Sequence, residues 1–259
     1  MPATGPVAPS FTEEELRSLA ALIGETDTVE LKLTVPEADQ RAVQAALGLD
    51  PLDAQIRQVY FFDTPDLALD RAGVVMRARR VQAKGDDSVV KLRPVVPSEL
   101  PSEVRSSPNF GVEVDAMPGG FVCSGSMKRT LTSPLVRAAI LKETPLRKVF
   151  SKEQRAFYAA HAPEGTAIDD LAVLGPIFVL KIRYVPEGFA RKLVAELWLY
   201  PDGQRILELS TKCPPGETFD VATKARAFLH DRDVSLVGDQ QTKTRTALEF
   251  FSRQLQAAG

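Results

Sequence analysis

The chain has 259 residues, of which 44% are hydrophobic, so it can bury the core of one large barrel or of two small domains. Its 32 Lys and Arg residues are balanced by 34 Asp and Glu residues, so the chain lacks the overall positive charge that is typical of proteins that bind nucleic acid. There is no apolar run of membrane-spanning length and no secretion-type N-terminus, so we expect no membrane partner and a cytoplasmic location.

The first part of the chain predicts a helix, a strand and a second helix. Ser10 and Glu13 have the spacing of a capping box before apolar residues at helical spacing, so we expect a short helix that ends at Gly24. Polar and apolar residues alternate over 27–35, which predicts a strand. Residues 36–47 begin with proline and place apolar side chains on one side, which predicts a helix.

Strands dominate the rest of the chain and are interrupted by one helical stretch. Alternation between turn-forming residues predicts further strands at 55–62, 74–81, 88–95, 110–117, 178–185, 191–200 and 204–212. Residues 127–160 have helical spacing with breaks near two prolines, which predicts a helical insertion between the barrel halves. Two closing helices are predicted at 220–230 and 240–257.

Charged residues share one face of most of these strands, whereas the opposite faces are mostly Val, Leu, Ile, Met and Ala. The charged set is Glu30, Lys32, Arg77, Arg79, Lys91, Arg93, Glu113, Asp115, Lys181, Arg183, Glu196, Glu208 and Lys212. If helices cover the apolar faces, the charged faces line a closed barrel in which cations outnumber carboxylates. This surplus predicts a small anion with several negative charges, such as a polyphosphate. The alternative is an open sheet whose charged faces lie in solvent.

Two stretches carry motifs of a known family. Residues 29–33, Val-Glu-Leu-Lys-Leu, resemble the end of an opening ExExK strand, and residues 60–69 followed by 73–80 are similar to a YFDTxxxxL and LRxR signature. The sequence therefore resembles the CYTH family of triphosphate tunnel metalloenzymes, which includes inorganic triphosphatases, thiamine triphosphatases and class IV adenylyl cyclases. A further resemblance at 242–251 implies that Lys243 closes the tunnel.

The resemblance implies an α+β fold, namely a closed eight-stranded antiparallel barrel with a charged interior and helices packed outside. Residues 1–26 would form an N-terminal helix, 27–217 the barrel with its insertion at about 127–160, and 218–259 closing helices on the same domain. It also implies a triphosphate-containing substrate and Mg²⁺ or Mn²⁺ as the cofactor, because both ions prefer carboxylate, phosphate and water oxygens.

The resemblance also implies roles for individual residues. The residues expected to bind phosphate groups are Lys32, Arg77, Arg79, Lys91, Arg93, Lys181 and Arg183. The carboxylates expected in catalysis are Glu30, Glu113 and Glu208, and those expected to bind the metal are Glu30, Glu196 and Glu208. Thr28 and Ser210 depart from the family pattern, because both replace glutamates on the expected metal side. Asp115, beside Glu113, is placed to compensate.

Three functions remain open at this point. The first is metal-dependent hydrolysis of inorganic triphosphate or a nucleoside triphosphate. The second is a weakened or inactive module that binds a phosphoanion, which Thr28 and Ser210 favour. The third is an adenylyl cyclase, for which we find neither a base nor an adenine pocket; Trp198 and Phe178 are interpreted as core residues, with base stacking as the alternative. The expected partner is a small polyphosphate-containing anion, and the sequence leaves a homodimer open.

Overall fold

The structure is a computed structural model that describes residues 20–132, 134–234 and 243–258. Its centre is a closed barrel of nine strands. They are β1 (Thr28–Val35), β2 (Gln55–Asp63), β3 (Val74–Val81), β4 (Asp86–Leu92), β5 (Phe110–Met117), β6 (Gly120–Leu131), β7 (Ala172–Tyr184), β8 (Leu193–Leu199) and β9 (Arg205–Cys213). The capping box expected at Ser10 lies outside the described residues, and a helix ends at Gly24 as expected.

The barrel is mixed, so the expectation of eight antiparallel strands is wrong in both number and direction. Around the barrel the order is β1, β5, β6, β4, β3, β2, β7, β8 and β9, and β9 pairs back with β1. Neighbouring strands are antiparallel except β1 and β5, which run parallel. Strand direction cannot alternate all the way around a closed ring with an odd number of strands, so one parallel pair is required.

The additional strand is β6, which overlaps the stretch predicted to be helical. Its first seven residues include Gly120, Ser124, Gly125 and Ser126, small residues that give little hydrophobic alternation. Its last residues, which we expected to open the helical insertion, pair with β4 and β5. The insertion therefore begins only after Leu131.

β7 begins at Ala172, six residues earlier than the sequence predicts. The prediction began too late because Gly175 and Pro176 are residues that usually interrupt a strand. Both lie where the pairing of β2 with β7 shifts register between Val59 and Phe61. Proline is tolerated at such a bulge because fewer ladder hydrogen bonds are required there. A Cβ atom at position 175 would lie 2.8 Å from the Val59 carbonyl oxygen, so this close approach requires glycine.

Helices cover the apolar outer faces of the barrel. They are α1 (Gln40–Ala46), α2 (Ala68–Arg71), α3 (Ser102–Arg105), α4 (Leu135–Ile140), α5 (Lys152–Ala159), α6 (Thr218–His230) and α7 (Lys243–Ala258). Val43 of α1 and Val221 of α6 belong to the core over β1 and β9, whereas Val136 of α4 and Phe157 of α5 belong to the core over β3 and β4. Within the described residues, no helix has both the length and the apolar character to cross a membrane.

The insertion between β6 and β7 is docked on the barrel by a buried amide. Gln154 of α5 donates hydrogen bonds to the carbonyl oxygens of Ser88 and Met127 at 3.1 and 3.0 Å. Its side-chain oxygen accepts from the backbone N–H of Ser151, which completes a capping box at the start of α5. One fully buried side chain thus joins the helix to two strands.

The Asp63-Thr64-Pro65 part of the family signature shapes the turn between β2 and β3. The buried carboxylate of Asp63 accepts hydrogen bonds from three backbone N–H groups of this turn, at 2.7, 2.9 and 3.0 Å. Ser252 of α7 donates to the carbonyl oxygen of Pro65 at 2.7 Å. The turn therefore places β3 and also holds α7.

α7 covers one end of the barrel. Leu248 and Phe251 belong to the same apolar cluster as Phe61 of β2 and Trp198 of β8. Phe61 pairs with Arg77 across β2 and β3, and paired residues point to the same side of a sheet, so this cluster lies on the inner face. The helix closes the barrel at this end, and its described residues start with Lys243.

Candidate functional site

The inside of the barrel is a polar cavity of about 1040 Å³. Among the described residues, twelve Lys or Arg side chains and seven Asp or Glu side chains line it, so positive charge is in excess. The cavity contains each of the site residues expected from the sequence. They are Glu30, Lys32, Arg77, Arg79, Lys91, Arg93, Glu113, Lys181, Arg183, Glu196 and Glu208.

The two arginines on the inner face of β3 differ in their partners. Arg79 donates from Nε and Nη2 to the two carboxylate oxygens of Asp87 at 2.8 and 2.9 Å, a bidentate pair that fixes its side chain. Nε of Arg77 is buried and has no hydrogen-bond partner within the described part of the chain. Burial, and then the nearby charge of Arg79, lowers the pKa of Arg77 to about 10. An anion in the cavity would supply the partner that this guanidinium lacks.

Glu30, Glu113 and Asp115 form a group that we call the first carboxylate cluster. The parallel pairing of β1 and β5 places Glu30 opposite Asp115 and Thr28 opposite Glu113. One carboxylate oxygen from each of the three residues lies within 4.8 Å of the others. Such a group of oxygen donors suits a hard divalent cation.

Cations surround the first carboxylate cluster. Lys32 Nζ lies 2.9 Å from Asp115 Oδ1 and 3.3 Å from Glu30 Oε2, while Lys91 and Arg93 approach Asp115 Oδ2 at 3.6 and 3.7 Å. Burial would raise the pKa of Glu30, but Lys32 and Lys212 outweigh it and hold this pKa at about 2. Lys91 behaves differently, because burial outweighs the attraction of Asp115 and lowers its pKa to about 8.

Lys212 of β9 reaches the same cluster. Its ammonium group forms an ion pair with Glu113 and lies 3.7 Å from Glu30 Oε2. The two hydroxyl groups that replace family glutamates are engaged in hydrogen bonds: Ser210 Oγ donates to Glu30 Oε1 at 3.0 Å, and Thr28 Oγ1 donates to the backbone of β9 at 3.2 Å. This side of the cavity is therefore neutralised by protein groups.

Glu196 and Glu208 form the second carboxylate cluster. They are paired across β8 and β9, and Lys243 of α7 bridges them, with Nζ 2.6 Å from Glu208 Oε1. Lys181 forms an ion pair with Glu196 from β7. Burial would raise the pKa of Glu196, but Lys243 and Lys181 together hold it well below its usual range.

The expected metal ligands are divided between these two places. Glu30 lies with Glu113 and Asp115, whereas Glu196 and Glu208 lie around Lys243. The register between β1 and β9 explains the separation, since Glu30 pairs with Lys212 and Glu208 pairs with Thr34, four residues further along β1. Sequence spacing within each strand could not show this.

Several charged residues of the barrel interior escaped the sequence prediction of the site. The sequence predicts a hairpin turn at 85–87, which includes Asp87, and Lys128 lies in the stretch predicted to be helical, although both residues lie in strands and line the cavity. Arg57 of β2 is only 4% exposed, and its guanidinium donates to Gln55 Oε1 at 2.7 and 3.2 Å. The sequence did contain a signal for Arg57: it is two residues before Val59 and four before Phe61, so in a strand it lies on the same, inward face as these residues.

The two aromatic residues considered for base stacking do not offer an open ring in the cavity. Trp198 is buried against Phe61, with ring centroids 6.5 Å apart, and donates to Glu196 Oε2 at 3.3 Å. It is a core residue, as expected. Phe178 is not, since it is 43% exposed on the outer face of β7.

Comparison with solved structures finds the same fold in other proteins. A candidate adenylate cyclase of Bacillus halodurans has 15% sequence identity and a TM-score of 0.58, over 85% of this chain and 97% of that one. A candidate adenylyl cyclase of Hippeastrum, described as having a dominant triphosphatase activity, has 16% identity and a TM-score of 0.60, over 83% of this chain and 92% of that one.

No protein-family model matches the sequence, and no curated protein matches it either. At 15–16% identity the two structural similarities concern the fold. The closed barrel with outer helices is therefore confirmed, and this chain shares its fold with these two candidate adenylyl cyclases.

Proposed function

We propose that the barrel binds a triphosphate-containing anion and hydrolyses its terminal phosphate with the help of Mg²⁺ or Mn²⁺. The observation that carries this proposal is the meeting of the expected basic residues in one cavity, where positive charge is in excess. The Arg77 guanidinium suits phosphate oxygens, since it can donate parallel hydrogen bonds, and Arg79, whose Nε and Nη2 are bonded to Asp87, still offers the donors of Nη1. The triphosphatase activity described for the Hippeastrum protein is consistent with this choice of reaction.

The first carboxylate cluster fits a divalent ion, because it offers closely spaced oxygen donors and neither Asp115 oxygen has an aligned hydrogen bond within the described residues. Glu30, Glu113 and Asp115 would hold the ion. A bound Mg²⁺ or Mn²⁺ would neutralise phosphate charge and lower the pKa of a bound water. The predicted ligands Glu196 and Glu208 would first have to be released from Lys243.

The remaining steps belong to the protein's own side chains. Lys32, Lys91 and Arg77 would bind and orient the phosphate chain, and Arg79 is kept in place for the same purpose by Asp87. Glu208 remains predicted to act in catalysis: its carboxylate can accept a hydrogen bond from the attacking water and orient it. These groups supply positioning and charge stabilisation, the main requirements of phosphoryl transfer.

The second candidate function is binding of a phosphoanion without hydrolysis. It is favoured by the ion pairs of both carboxylate clusters with lysines, and by the internal hydrogen bonds of Thr28 and Ser210. A carboxylate that is already paired with an ammonium group binds a metal less readily. In that case the phosphate-binding cations would persist while turnover is lost.

Orthophosphate release from inorganic triphosphate or ATP, with Mg²⁺ or Mn²⁺, separates these functions. We expect release by the wild type, loss in Glu208→Gln and Arg77→Ala, and no loss in Arg205→Ala, which removes an exposed arginine outside the cavity. Thermal shift reports binding separately, because ligand at one hundred times its Kd adds about 2.7 kcal/mol of stability.

Binding without release, lost in Arg77→Ala, would instead establish the binding module. Cyclic AMP formed from ATP would indicate the cyclase. If neither triphosphate nor ATP binds, the proposal is wrong.

A further inference from the structure

Lys212 occupies a distinctive place at the first carboxylate cluster. Its ammonium group pairs with Glu113 and lies 3.7 Å from Glu30 Oε2, so it contacts two of the three residues that would hold a divalent ion. Ser210, on the same face of the same strand, donates to Glu30. β9 thus brings a cation and a hydroxyl group to the place where the family pattern has an additional carboxylate.

We propose that Lys212 is a built-in competitor of the divalent ion: it neutralises the first carboxylate cluster in the metal-free protein and lowers the affinity of this cluster for Mg²⁺ and Mn²⁺. The inference rests on the proposed function, because it takes this cluster as the metal site. An ammonium group and a metal ion repel each other, and both are attracted to the carboxylates of Glu113 and Glu30. Metal binding therefore requires Lys212 to leave.

The structure allows Lys212 to leave more easily than the other lysine of the cluster. Its side chain is 51% exposed, whereas that of Lys32 is 15% exposed and is placed between Asp115 and Glu30. The flexible stem of a lysine can move its charge through several ångströms. Once displaced, the ammonium group remains at the cavity and is available to a phosphate oxygen. The exchange would couple metal loading to anion binding.

The test is Mn²⁺ binding without substrate, measured by calorimetry and by the electron paramagnetic resonance signal of free Mn²⁺. Lys212→Met should bind Mn²⁺ about tenfold more tightly than the wild type, because a positive charge is removed beside the ion. Lys212→Arg should keep the low affinity. Lys128→Met is the control for removing one positive charge from the cavity in general. Lys128 also lines the cavity, and among the described residues it has no carboxylate partner within 4.0 Å.

Equal or weaker Mn²⁺ binding by Lys212→Met, with wild-type binding intact, overturns the inference and leaves the proposed function standing. An equal gain of Mn²⁺ affinity in Lys128→Met also overturns the inference, because the gain would then come from the lower total charge of the cavity and not from the position of Lys212. If no variant binds Mn²⁺ while inorganic triphosphate still binds, the metal-dependent reaction fails together with the inference. A single cooperative thermal unfolding transition without ligand verifies that each variant is folded.

Discussion

Replacing Arg77 by methionine should make the ligand-free protein more stable while weakening anion binding. Arg77 lies inside the barrel, its Nε has no hydrogen-bond partner in the described residues, and burial together with Arg79 lowers its pKa to about 10. Because the folded state has the lower pKa, folding disfavours the charged form. This cost is present at every pH below about 10.

The size of the effect follows from the pKa. A value of about 10 for Arg77, against an ordinary arginine value of about 12.5, corresponds to roughly 3 kcal/mol. Water in the cavity screens part of this free-energy cost, and methionine retains the packing of the side-chain stem. We therefore expect the free energy of unfolding to increase by about 2 kcal/mol. For a chain of this size, that raises the Tm by about 4–8 °C.

Affinity should change in the opposite direction. Loss of hydrogen bonds from a charged donor typically costs about 1.5–3 kcal/mol, which is a roughly 10–100-fold weaker Kd for triphosphate. Differential scanning fluorimetry and calorimetry measure the two effects. Arg79→Met is the matched control, because it leaves Asp87 without its bidentate partner and should lower stability. A lower Tm with unchanged affinity in Arg77→Met would refute the reasoning.

Three further predictions concern other parts of the barrel. The pKa of Lys91 is lowered to about 8, so between pH 8 and about 10.5 the folded protein has lost a proton that the unfolded chain keeps. The contribution of Lys91 to the stability of the ligand-free protein should therefore rise over that pH range, while the affinity for triphosphate falls. In Lys91→Met, the rise in stability and the fall in affinity should both be smaller, as measured by thermal melting and calorimetry at several pH values. The same pH dependence in wild type and variant would contradict the assignment to Lys91. Asp63→Ala should cost about 2–4 kcal/mol in urea unfolding, because three backbone N–H groups lose their acceptor, and a loss below 1 kcal/mol would contradict this role. Gln154→Leu should cost about 2–4 kcal/mol and increase proteolysis between β6 and β7, since two strand carbonyl groups lose their donor; unchanged protection would mean that apolar contacts alone hold the insertion.

The alternation of residues along the strands was sufficient to predict most of the charged side chains that line the barrel. Side chains of a strand point to opposite faces with a period of two, so Arg77 and Arg79, or Lys181 and Arg183, had to share a face once the strands were placed. The apolar opposite faces required cover, which predicted outer helices. These inferences depend on neighbours in the chain and needed no knowledge of which strand pairs with which.

Strand pairing was decided by the tertiary structure. β6 carries Gly and Ser at its centre and gives no strong alternation, yet it satisfies the backbone groups of β4 and β5. Its presence makes the number of strands odd, which requires one parallel pair, and in this barrel that pair is β1 with β5. That pairing then brings Asp115 opposite Glu30.

The separation of the two carboxylate clusters has the same origin. Lys212 and Glu113 are 99 residues apart in the chain, and only the closure of the barrel through β9, β1 and β5 brings their charges together. Register between strands places Glu30 beside Lys212, whereas the helix α7 brings Lys243 to Glu208. The sequence by itself determined most of the charges that face inward, whereas the tertiary structure decided which of them meet, because ion pairs between strands depend on register and not on spacing within a strand.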